Sequence, residues 1–209
     1  MKKLFLSLAV VALLASCGGS NETVEAQDVE ATEGGEHGAH VAYKIDVAAS
    51  TVKWAGNKIV GEGHHGSIAV QSGEVHVAEG AVVMGEIVID MNTITEEDAG
   101  SVEYAEKLVG HLKSDDFFKV ATYPTAKIVV KSVENNNVTA ELTILDVTKQ
   151  ITFPATISVA DDKVNVTANF SINRTDWGIV YGSGNFFDLA KDKTIKDEID
   201  FQVNIVANK

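Results

Sequence analysis

The stretch Lys163-Val-Asn-Val-Thr-Ala-Asn-Phe-Ser-Ile-Asn173 decides the fold class. Val164, Val166, Ala168, Phe170 and Ile172 alternate strictly with polar residues. That is the period of a strand with one face buried and the other in water. The same alternation recurs in Ile199, Phe201, Val203 and Ile205, and in Val138, Ala140, Leu142 and Ile144. Ile151, Phe153, Ala155, Ile157 and Val159 repeat it once more. Further strands are expected at Val52–Ala55, Ser67–Gln71, Glu74–Ala78, Ala81–Met91 and Ala126–Val133. Turn-forming residues separate them at Ser72-Gly73, Glu79-Gly80, Asn135-Asn136-Asn137 and Asp161-Asp162. A run of hairpin-spaced strands predicts an all-β sandwich or barrel. A barrel has no open edge, which removes the unpaired strand rims through which sheets aggregate. At about eight strands its interior holds either packed side chains or one small ligand, and periodicity does not distinguish the two.

One segment breaks this rhythm. Val102, Ala105, Leu108, Val109 and Leu112 have helical spacing, with Thr95 and Asp98 placed as a capping pair. A single amphipathic helix is expected over about 97–113.

The N-terminus has a different character. Lys2 and Lys3 precede an apolar run, Leu4 to Leu14, followed by Ala15, Ser16 and Cys17. A basic start, a short apolar stretch and small residues describe a signal peptide over 1–16. The apolar run is far shorter than the roughly 20 residues needed to span a bilayer. Leu14-Ala15-Ser16-Cys17 resembles the bacterial lipobox, which implies thioether-linked diacylglycerol on Cys17 and further acyl chains. Several chains anchor a protein firmly, whereas one does so only marginally. Gly18 after the lipidated Cys, instead of Asp, points to the outer membrane, facing the periplasm or the cell surface. Residues 17–42 read as the lipidated Cys followed by an acidic linker. Glu22, Glu25, Asp28, Glu30, Glu33 and Glu36 are accompanied by no Lys or Arg, so disorder is expected. Residues 43–209 then form one domain.

The chain carries a formal net charge of −13, which becomes −15 once Lys2 and Lys3 are removed. Such acidity argues against nucleic acid as a partner, because phosphates demand basic patches. It also repels anionic headgroups. Cys17 is the only cysteine, so no internal disulfide forms and stability rests on the core.

Candidate chemistry is sparse. His37 and His40 lie in the linker, and His64 and His65 point to opposite faces if they sit in a strand. No Cys completes a zinc set, and no metal site is expected. No Gly-x-Ser-x-Gly elbow is present, and Gly182-Ser183-Gly184 matches no phosphate-binding loop. The acidic pairs Asp115-Asp116 and Asp161-Asp162 fall at turns, where acids cap amides. Trp177, Tyr181, Phe186 and Phe187 cluster among glycines, as either core or pocket wall.

Several ordered motifs resemble one family. These are Tyr43-Lys-Ile-Asp46 with Ser50-Thr-Val and Trp54, and Gly110-His111-Leu112-Lys113-Ser114-Asp115-Asp116-Phe117-Phe118 with Tyr123-Pro124. Glu141-Leu142-Thr143-Ile144 with Val147-Thr148-Lys149 follows, and then Asn173-Arg174-Thr175-Asp176-Trp177-Gly178. Together, over about 43–206, they resemble the YceI-like family of periplasmic and secreted lipid-binding proteins. The resemblance implies a lipocalin-like antiparallel β-barrel with one helix. It implies a bound polyisoprenoid or fatty-acid-like lipid, no catalysis and no other cofactor. Lipid-contacting candidates on that view are Trp54, His65, Leu108, His111, Phe117, Phe118, Phe170, Arg174, Trp177 and Phe186. Arg174, His65 or His111 would meet a polar head, and Arg174 has the alternative role of a structural ion-pair partner. Homodimerisation is compatible with this picture. Two other readings remain open: a filled barrel acting as a protein-interaction module, and an enzyme with a polar constellation inside the barrel.

Overall fold

The computed structural model describes residues 22–29, 39–98 and 100–209. The expected signal peptide and Cys17 lie outside these residues. The strands are β1 (Thr23–Val24), β2 (Gln27–Asp28), β3 (Val41–Ile45), β4 (Thr51–Lys58), β5 (His64–Ala78), β6 (Ala81–Asp90), β7 (Thr125–Glu134), β8 (Asn137–Ile144), β9 (Val147–Val159), β10 (Lys163–Asn173) and β11 (Ile195–Asn208). One α-helix, α1, covers Val102–Lys113. No described helix is long and apolar enough to cross a membrane.

Strands β4 to β11 form an eight-stave antiparallel barrel. Each stave pairs with its sequence neighbour, and β11 closes the ring against β4, as in Phe201 opposite Trp54. Strand β3 continues the position of β4 between β11 and β5, pairing Ala207 with Ile45 and Tyr43 with Val75. The alternation that predicted β10 is realised across its pairing with β11, where Phe170 lies opposite Phe201 and Ile172 opposite Ile199. The hairpins at Glu79-Gly80 and Asn135-Asn136 place both turn residues at positive φ, between 50° and 80°, matching the strands' right-handed twist.

Three details differ from the sequence reading. Ser72-Gly73 is no turn: β5 runs unbroken for 15 residues. Gly73 is extended there, and a Cβ would sit 2.5 Å from the Glu86 carbonyl oxygen, so the glycine permits close strand approach. The helix starts at Val102, because Ser101 caps it by accepting from the Tyr104 amide at 3.2 Å. Thr95 and Asp98 instead strap the preceding segment to β5, with Thr95 Oγ1 accepting from the Ser67 amide and Asp98 from the His65 amide. Finally, part of the expected linker is structured. β1 pairs parallel with β10 and β2 antiparallel with β9. Val24 supplies the reason: it is 8% exposed and packs into the main core cluster, an apolar anchor within the acidic stretch.

Core packing fills one end of the barrel. Tyr43, Ile45, Val70, Val77, Val164 and Ala207 are buried together there.

Candidate functional site

The inward residues of the staves enclose a cavity of about 460 Å³. Phe153, Phe170 and Phe201 form one wall, with Phe153 and Phe170 stacked at 4.4 Å between centroids. Ile68, Ile87, Ile128 and Val203 continue the apolar lining. Helix α1 presents Leu108 and Leu112, one turn apart, to the same space. The barrel is therefore hollow, and the filled-barrel alternative is not what the structure adopts.

The cavity opens where exposed Lys58, Glu62, Tyr104, Tyr181 and Lys193 join its lining. Three segments frame this mouth: the β4–β5 turn, α1, and the 178–194 stretch. They are tied together. The Ile59 amide donates to Thr194 O at 3.0 Å, and Ile195 N donates to Gly182 O at 2.8 Å. The rings of His111, Phe117 and Tyr181 form a three-way cluster with centroids 4.7 to 5.4 Å apart.

Polar groups at the mouth form two sets. In the first, His64 Nδ1 lies 3.0 Å from Asp98 Oδ1, and His65 Nδ1 lies 2.7 Å from Asp98 Oδ2. The two adjacent histidines thus share one carboxylate although they sit on opposite faces of β5, because Asp98 approaches the strand edge. The Tyr104 hydroxyl lies 3.3 Å from His64 Nε2. The Glu96 side chain, hydrogen-bonded to Asp98, holds the Asp98 carboxyl down to about 2 against partial desolvation, with help from His64 and His65. Among the described residues, His64, Glu96 and Asp98 form one group of metal-ligand proximity, with donor atoms within 4.8 Å of one another. Gly66 makes the group possible: a Cβ there would stand 2.0 Å from Thr95 O, so only glycine lets the 94–98 segment lie against β5. The second polar set is His111 with Asp116, 3.1 Å apart.

Arg174 borders the cavity but is occupied. It is 1% exposed. Its guanidinium donates to Ile179 O at 2.7 Å and Lys196 O at 3.2 Å, and pairs with Asp197 Oδ1 at 3.3 Å. Burial lowers its pKa, and Asp197 and Glu198 counter that by favouring the charged form. These contacts pin the 178–197 stretch to the barrel and give Arg174 its structural role.

The structure thus brings Trp54, Leu108, His111, Phe117, Phe118, Phe170 and Arg174 to the cavity wall. It places the other three candidates elsewhere. His65 is on the outer face of β5, because side chains alternate and His64 takes the inner position. Trp177 is wholly buried beside the cavity, its indole N–H donating to Leu142 O at 3.1 Å. Phe186 is 57% exposed on the outside of the 178–194 stretch. Tyr181 takes the pocket-wall role that the late aromatic cluster leaves open, His64 enters the sequence reading only as a metal ligand, and Tyr104 is missed altogether. Tyr104 sits one turn before Leu108, so the helical period could have found it.

A family model described as a YceI-like domain matches residues 43–207. No curated protein matches the chain. Among solved structures, Burkholderia cenocepacia BcnA is similar with a TM-score of 0.60 and 21% identity, covering 78% of this chain and 99% of that one. A polyisoprenoid binding domain from Saccharophagus degradans, implicated in plant cell wall breakdown, is similar with a TM-score of 0.57 and 15% identity, covering 79% of this chain and 97% of that one. At these identities the likeness is one of fold.

Proposed function

The chain belongs to the YceI-like domain family, and from that premise we propose that it binds an amphiphilic, isoprenoid-like lipid in the barrel cavity as a carrier or sequestering protein, with no catalytic step. The observation that carries this reading is the cavity itself. Its volume of about 460 Å³ falls within the roughly 300–1,000 Å³ typical of ligand pockets. Its lining is aliphatic and aromatic to the depth of Phe153 and Phe170. Each buried methylene of a lipid tail would contribute about 0.8 kcal/mol.

The polar head belongs at the mouth. His64, Tyr104 and His111 face that opening with hydrogen-bonding atoms, while Arg174 spends its donors on Asp197 and backbone carbonyls. A similar solved structure is described as a polyisoprenoid binding domain, which supports an isoprenoid class of ligand. On the same reading the protein is exported, acylated at Cys17 and tethered to the outer membrane, and it works as a monomer or homodimer there.

The test is native mass spectrometry of the chain from Gly18 onward, isolated without detergent. A discrete extra mass that extracts into organic solvent is expected, and its fragmentation gives the chain length. A clean apo mass that stays unchanged after incubation with polyprenols and fatty acids would overturn the carrier reading.

A further inference from the structure

Single hydrophobic residues scattered over a surface carry no meaning, but a concentration of them does. Among the described residues, eleven large hydrophobics are exposed, and eight of them lie on the three segments that frame the cavity mouth, with Tyr104 and Tyr181 also lining the cavity. Ile59 and Val60 sit on the β4–β5 turn, each more than half exposed. Val102 and Tyr104 open helix α1, at 75% and 48% exposure. The remaining four, from Tyr181 to Leu189, project from the 178–194 stretch, with Phe186 and Phe187 at 57% and 48%. Their common location follows from contacts already described: Ile59 to Thr194, Tyr104 to His64, and Tyr181 to His111.

We propose that this rim is a docking surface for a zwitterionic lipid bilayer, into whose headgroup region the mouth inserts so that a lipid passes between membrane and cavity without crossing water. The proposal rests on the lipid-binding reading. Two observations select a bilayer of this kind as the occupant. The rim is continuous with an apolar cavity, so an apolar phase placed against it meets the cavity directly. The charges of its two loop segments also balance: Lys58, Lys191, Lys193 and Lys196 stand with Glu62, Asp188, Asp192 and Glu198, and the acidic excess of the rim is confined to the α1 side, where Glu97, Asp98, Glu103 and Glu106 face only Lys107. A zwitterionic surface offers a phosphate to each Lys and an ammonium to each acid. An anionic surface repels the excess charge of the remainder. Tyr and Phe with flanking Lys are also the residues that settle at a membrane interface.

The experiment is flotation of the chain from Gly18 onward, which keeps every described residue and carries no acyl chain. Vesicles are phosphatidylcholine and phosphatidylethanolamine, with and without one-third phosphatidylglycerol. Flotation with the zwitterionic vesicles is expected, weakened when phosphatidylglycerol is included. The F186S/F187S variant, altered only at exposed positions, should partition about tenfold less because two rings no longer leave water. Its thermal midpoint and its co-purifying lipid mass should match the parent. Flotation of the variant equal to the parent's overturns the docking proposal, as does absence of flotation by the parent. So does a parent dimer that the variant loses, which would assign the rim to a second copy. Lipid retained by a chain that does not float leaves the binding reading standing and removes only the docking.

Discussion

The Arg174 guanidinium and the Asp197 carboxylate face each other at 3.3 Å inside the protein, with 1% and 9% of their side chains exposed. Around them the chain frames one side of the barrel mouth, since Arg174 also takes the carbonyls of Ile179 and Lys196, and Asp197 accepts from Asn185 Nδ2 at 2.7 Å. A buried pair of this kind costs much when broken and little when replaced whole.

Asp197→Ala should therefore lower stability by about 3–5 kcal/mol, because it leaves Arg174 charged and unpaired in a desolvated site. The double variant Arg174→Met with Asp197→Leu should recover a large part of that loss. Urea denaturation reads both. If the double variant, once folded, still carries lipid, Arg174 acts through structure; loss of lipid alone would assign it to the headgroup.

Acid should loosen the mouth. The Asp98 carboxyl has a folded-state value of about 2, below its ordinary 3.8. A depressed carboxylate contributes stability that is full above about pH 4 and is lost as the pH falls toward 2. Amide exchange of the 94–98 segment should rise over that window, and Asp98→Asn should abolish the rise. An Asp98→Asn protein with the same acid profile would refute the assignment.

Filling the cavity should empty it of ligand. Ala168 lies on the cavity wall beside Phe170. In Ala168→Phe the new ring has space to enter, so the overpacking penalty should stay under about 3 kcal/mol. Native mass spectrometry should then show the protein folded and free of the lipid mass. A variant that retains the full complement would place the lipid elsewhere.

The acidic N-terminal stretch should contribute to stability in spite of its composition. Val24 is buried where β1 meets β10. Removing residues 18–29 should cost about 2 kcal/mol, the value of one buried aliphatic side chain. Val24→Asp in the intact chain should cost at least as much. A denaturation midpoint unmoved by either change would show the pairing to be dispensable.

How far the chain could be read in advance follows from the range of each physical signal. Alternation in Lys163–Asn173 reports a half-buried strand because side-chain direction is local to the backbone. Asn135-Asn136 reports a hairpin for the same local reason. Gly73 and Gly66 carry no such local message. Each is glycine because a distant carbonyl, of Glu86 or Thr95, comes too close for a Cβ. His64 and His65 cannot be ranked from sequence, since a one-residue shift of register would exchange cavity and solvent faces. Asp98 and Thr95 match a helix cap in sequence, yet β5 competes for them and wins with the amides of His65 and Ser67.

The sequence by itself thus determined the strand class of the domain, its hairpins, its single helix, and the ordered motifs that resemble the YceI-like family. These depend on contacts between near neighbours and on residue types. The tertiary structure decided that the staves close into a ring around empty space. It also decided that Arg174 is consumed by Asp197 and that Tyr104, Tyr181 and His64 meet at one opening. A cavity is a property of side chains that fail to reach one another across the barrel, and no pattern along a single strand records that distance.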